Sequence, residues 1–190
     1  MNIPIRTASL VLFLSTIFIS GSYAATQKSD LSLRDLAFKK QDLPACEIQE
    51  PPEGDDLPCA FDTVPYYSED PDFLACGMNL MGMNLGLLEQ NSAEVKALLL
   101  QAYLDPSQDH HEIGMYGVEF KTRQASEQFI KKIRPMMEAM AQESNNGPEV
   151  WHRGKVIALI WNDAEPDSPC FEAFTKKLQA AGLKNLLHSQ

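Results

Sequence analysis

Hydrophobic and polar positions divide the chain into regions of different character, and the first is almost unmixed. Ala8 to Ile19 (ASLVLFLSTIFI) is apolar apart from hydroxyls, follows Arg6, and leads to Ser22-Tyr23-Ala24. A charged start, an apolar core and small residues at the cut are the parts of a secretory signal, so residues 1–24 are expected to be cleaved on export. The run is shorter than the roughly 20 residues a membrane-spanning helix needs. No cysteine stands at the cleavage point to carry a lipid. The mature chain would then be one domain, 25–190, long enough to bury a core.

Residues 25–70 predict a loop-rich leading segment. Leu31, Leu33, Leu36 and Phe38 are spaced to pack onto a core, while Pro44, Pro51, Pro52, Pro58 and Pro65 prevent long helices. From Pro71 the spacing turns helical, with Leu74, Met78, Met81, Leu85 and Leu88 recurring on one stripe. Val95, Leu98, Leu99 and Ala102 predict a second helix over 93–104, capped by Ser92 and ended at Asp105-Pro106. Residues 71–105 would thus form a helical hairpin.

The next pattern is a strand. Ile113 to Phe120 (IGMYGVEF) is followed by Thr122, which can cap a helix reaching about Glu143. Phe129, Ile133, Met137 and Met140 share one face of that helix, and Pro135 should kink or break it. After the loop Asn145-Asn146-Gly147-Pro148, strands at Glu149–His152 and Lys155–Asn162 flank Arg153-Gly154, a two-residue turn. Val156 to Trp161 is too apolar for a half-exposed strand and should be central. Ser168-Pro169 opens a last helix to Ala181, with Phe171, Phe174 and Leu178 inward and Gly182 as its stop. A short strand at Leu183–Leu187 can follow. The order β-α-β-β-α over 110–187 predicts an α+β fold, a ferredoxin-like sandwich preceded by the helical hairpin.

Charge narrows the partners. The formal net charge is −10, and the only charged side chain in the signal is Arg6, so the mature chain is more acidic still. Nucleic acid and anionic membranes would repel it. Residues 41–95 hold twelve acids and no Lys or Arg. Asp55 and Asp56 lie in the densest part and are candidate contacts for a basic partner; a solvated loop is the plainer reading. No regular spacing of oxygen ligands supports a calcium loop. The absence of any Asn-x-Ser/Thr triplet fits a bacterial periplasmic or secreted product better than a eukaryotic one.

Four cysteines, Cys46, Cys59, Cys76 and Cys170, follow the signal. An even count in an oxidising compartment predicts two disulfides with three possible pairings. Cys46–Cys59 would close the short proline-rich loop, and Cys76–Cys170 would tie the first half to the last helix. No Cys-x-x-Cys spacing suggests redox chemistry.

Candidate chemistry is sparse. Cys76, Met78 and Met81, with His110 or His111, offer thiol, thioether and imidazole ligands suited to copper. On a helix, however, Met78 and Met81 complete the core stripe while Met83 falls about 200° away from Met81. His110 and His111 are adjacent, so only a loop lets both reach one ion; an exposed polar turn is the plainer account of them. No hydrolase, Walker or dinucleotide fingerprint occurs, and no cofactor is expected. The expectation is a non-enzymatic exported protein that binds a protein or small ligand. A periplasmic copper-binding protein and an exported hydrolase with a dispersed site are the alternatives.

Overall fold

The strand formed by Val156–Asn162 is buried on both faces, and the molecule is arranged to cover it. The computed structural model describes residues 30–48, 66–84, 92–143, 148–163, 165 and 167–187. In chain order these give a 3-10 turn at Leu33–Leu36, β1 (Glu47–Ile48), β2 (Tyr66–Ser68), α1 (Pro71–Asn84) and a second 3-10 turn at Ser92–Glu94. Then come β3 (Val95–Asp105), β4 (His111–Phe120), α2 (Arg123–Glu143), β5 (Glu149–Arg153), β6 (Val156–Asn162), α3 (Pro169–Ala180) and β7 (Lys184–Asn185). The fold is α+β, with three helices and one antiparallel seven-stranded sheet. Strand order is β1-β3-β4-β6-β5-β7, with β2 also paired to β3.

Alternation along β6 divides the core. Ile157 and Leu159 meet Leu74, Met78 and Met81 of α1 and Phe129, Ile133 and Met137 of α2. Val156, Ala158 and Ile160 meet Leu33, Leu36 and Phe38 of the leading segment and Cys170, Phe174 and Leu178 of α3. The β4-α2-β5-β6-α3 order follows the pattern read from the sequence. Its layering does not. Helices α2 and α3 cover opposite faces, so the sheet is the middle of three layers, as a strand apolar on both sides requires. The last strand, β7, extends the edge at β5.

The expected helix over 93–104 is instead β3, so 71–105 is not a helical hairpin. Val95, Leu98, Leu99 and Ala102 fit a helical stripe, but the run also buries both sides of a strand, with Leu99 and Tyr103 on one face and Leu98 on the other. Pairing with β4 over almost its whole length decides between the two periods.

Several local expectations have direct counterparts. Thr122 Oγ1 accepts from Ala125 N at 3.1 Å, and Ser168 Oγ from Phe171 N at 3.0 Å, capping α2 and α3. Gly182, with φ +80°, ends α3 while its N–H donates to Gln179 O and that of Leu183 to Leu178 O. Two expectations shift. The β5–β6 turn is Gly154-Lys155, one residue later, with Gly154 at φ +62°. Pro135 leaves α2 continuous because it and Lys131, whose carbonyl loses its donor, lie on the solvent side.

The leading segment is tied down by polar side chains from the sheet. Glu119 Oε2 accepts Leu33 N–H at 3.0 Å, Gln101 Nε2 donates to Leu36 O at 2.6 Å, and Tyr103 OH donates to Phe38 O at 3.1 Å. Burial raises the Tyr103 pKa well above the usual phenol range, so it stays a donor.

Candidate functional site

On the α1/α2 face, the sheet runs on past the helices at the carboxyl end of β6. Positions 157, 159 and 161 share that face. Ile157 and Leu159 are buried under the helices, whereas Trp161 is only half-buried. Its register partner on β4 is Gly114, and a β-carbon there would fall 1.6 Å from Trp161 Cζ2. The glycine therefore makes room for an indole lying against the sheet. Trp161 Nε1 donates to Glu112 Oε1 at 2.8 Å, and the Tyr116 ring stands 4.9 Å from the indole, tilted 42°.

These side chains wall an open cleft of about 350 Å³, with Met81 from α1, Met137 and Met140 from α2, and Pro148 and Leu159 completing it. Met140, 41 % exposed at the mouth, is the sole exposed large hydrophobic among the described residues. Glu112 is half-buried, and no Lys, Arg or His among the described residues pairs with it. Apolar and aromatic walls with one fixed carboxylate suit binding a small molecule.

The copper candidates do not converge. Cys76 is disulfide-bonded, which leaves no thiolate to ligate a metal. Met78 is buried between α1 and the sheet, and Met81 is buried beside it with an edge in the cleft. His110 occupies the β3–β4 turn, where Asp109 (φ +52°) and His110 (φ +58°) are left-handed and His111 N–H donates to Gln108 O at 3.1 Å. That is the backbone of a type I′ turn. His110 Nε2 lies 3.5 Å from Glu47 Oε2, and His111 is the exposed first residue of β4. No three His, Cys, Asp or Glu side chains among the described residues group to hold a metal ion.

The disulfide expectation is corrected. Cys46 bonds Cys170, 124 positions apart in sequence, with Cα atoms 4.9 Å apart. The pairings Cys46–Cys59 and Cys76–Cys170 are thereby ruled out. Spacing along the chain does not reveal that β1 lays Cys46 beside the end of β3, where α3 also begins. Cys59, Asp55 and Asp56 fall outside the described residues.

Beside the disulfide, buried Asp105 joins β3 to the start of α3. Burial alone would raise its pKa, but hydroxyls of Ser107 and Ser168 and backbone N–H groups of Ser107 and Cys170 outweigh it and hold it below the usual value.

One serine–histidine pair bears on hydrolysis. Ser126 Oγ lies 3.4 Å from His152 Nε2, but Nε2 also lies 2.9 Å from the Gly154 carbonyl. A carbonyl only accepts, so Nε2 carries its proton and cannot take one from serine. Ser126 is itself fully buried. The pair joins α2 to the β5–β6 turn.

Glu112, Gly114, Tyr116, Met140 and Trp161 form no recognisable motif along the chain. The available signal was a half-polar aromatic one residue from the end of an otherwise buried strand, with a glycine in the strand beside it. No protein family, curated protein or solved structure matches the chain, so the cleft is read from its own chemistry.

Proposed function

We propose that the chain is an exported, non-enzymatic binding protein whose cleft beside Trp161 holds a small, largely apolar ligand. The observation that carries this is the cleft itself: an open space of about 350 Å³ with aromatic, thioether and aliphatic walls and a carboxylate at one side. Apolar and aromatic walls with one placed polar group are the usual make-up of a small-molecule site. Export rests on the apolar run behind Arg6 and is supported by the Cys46–Cys170 disulfide, a bond of oxidising compartments. The address is periplasmic or secreted. No helix among the described residues is long and apolar enough to cross a membrane.

N-phenyl-1-naphthylamine, an uncharged dye that brightens in apolar sites, tests the reading. Wild type should give saturable enhancement, and Met140→Trp, which fills the mouth, should abolish it. Binding unaltered by Met140→Trp, or absent binding of both this dye and an apolar amine of similar size, would overturn the assignment. A second reading keeps copper. Met81, Met137 and Met140 bring three thioethers to one cleft, and thioethers suit Cu(I). Titration of Cu(I) against a competing chelator separates the two. Asp55 and Asp56 stay proposed, on charge alone, as contacts for a basic protein partner.

A further inference from the structure

The cleft's walls would accept many apolar groups, but Glu112 discriminates among them. Its Oε1 is held by the Trp161 indole N–H. Oε2 accepts from no described residue, and no basic side chain among them neutralises the carboxylate. A neutral ligand filling the cleft would strip water from this charge and return nothing, a costly exchange. An anion would add repulsion, in a chain whose net charge is already −10. A cation reverses both terms. One face of the indole lies against Gly114, so the other is turned outward into the cleft it lines, with Tyr116 tilted beside it. Aromatic faces attract ammonium groups, most strongly where water is excluded.

We infer that the cleft is selective for organic ammonium ions: an alkyl or aryl group packs against Met81, Met137 and Leu159 while its ammonium meets Glu112 Oε2 and the faces of Trp161 and Tyr116. This rests on the cleft being a ligand site. It adds the chemical class of the ligand, namely a protonated amine with an apolar tail. Three features act together: the carboxylate supplies a charge-assisted hydrogen bond, the rings supply cation–π attraction, and the thioether wall excludes water from both.

The test compares 4-phenylbutylamine, protonated at pH 7, with 4-phenylbutan-1-ol, which has the same carbon skeleton and no charge. Binding is followed by the Trp161 indole N–H resonance, with that of Trp151 on the opposite face as internal control. The amine should bind about tenfold tighter than the alcohol. Glu112→Gln keeps an acceptor for the indole N–H and so preserves the wall. It should erase the preference by weakening the amine and modestly tightening the alcohol, which no longer strips water from a charge. Equal binding of both probes to wild type would overturn the cation assignment and leave the ligand site standing. Failure of both to shift the Trp161 resonance would overturn the ligand site and this inference with it. A preference that survives Glu112→Gln would overturn the role given to the carboxylate.

Discussion

The indole of Trp161 occupies the space above Gly114 that any larger residue's β-carbon would fill, the separation to Cζ2 being 1.6 Å. The relationship makes a glycine on β4 part of the cleft without its touching a ligand. Gly114→Ala must push the ring off the sheet, breaking its 2.8 Å bond to Glu112. Overpacking of this kind costs about 1–3 kcal/mol. Thermal unfolding should show that loss, and the Trp161 indole N–H resonance should move while that of Trp151 stays. An unchanged Trp161 resonance would mean that the ring does not lie where the register places it.

Asp105 ties stability to pH in one direction. Its folded pKa is held below the ordinary 3.8, so the unfolded chain binds a proton first as pH falls. The group therefore contributes stability above about pH 4, and the contribution fades as pH drops through the folded value. Asp105→Asn removes charge-assisted bonds from Ser107 and Ser168 and should cost about 1–3 kcal/mol at pH 7. The gap between wild type and variant, measured by urea unfolding, should shrink between about pH 5 and pH 2. A gap constant across that window would show that the carboxylate's charge contributes nothing.

The Cys46–Cys170 bond joins the leading segment to α3 across 124 positions. Peptide mapping without reduction should recover a fragment linking these two cysteines; one linking Cys46 to Cys59 would contradict the fold around β1. Removing such a bond typically costs about 2–5 kcal/mol. A Cys46→Ala, Cys170→Ala double variant should melt lower by a corresponding amount, with hydrogen exchange rising first in residues 32–46.

The parts of this fold written in local chemistry were legible before the structure. Thr122 and Ser168 cap helices, Gly182 stops one, and Val156–Trp161 is central because nothing polar interrupts it. The same run carried a further message, that both faces need cover, which places α2 and α3 on opposite sides. Residues 93–104 were misread because Leu98-Leu99-Leu100 satisfies both periods, and only pairing with β4 separates them. The disulfide needed the same long-range knowledge. The cleft was illegible for a related reason: Trp161 stands 49 positions from Glu112 and 47 from Gly114, and only the β4–β6 register brings them together. Met81, Met137 and Met140 read as core, which two of them also are.

Glu119 is the remaining polar anchor, and its two partners are unequal. Oε2 accepts the buried N–H of Leu33 at 3.0 Å, while Oε1 accepts Lys96 Nζ at 2.7 Å from a side chain 48 % exposed. An exposed cation can return to water, so Lys96→Met should cost at most about 1 kcal/mol. Glu119→Ala strands a buried N–H and should cost about 1–3 kcal/mol. Glu119→Gln keeps a neutral acceptor and should fall between. Hydrogen exchange at Leu33, read by NMR, should accelerate in the order Lys96→Met, Glu119→Gln, Glu119→Ala. If Lys96→Met proved as damaging as Glu119→Ala, the ion pair and not the backbone bond would be what holds the leading segment on the sheet.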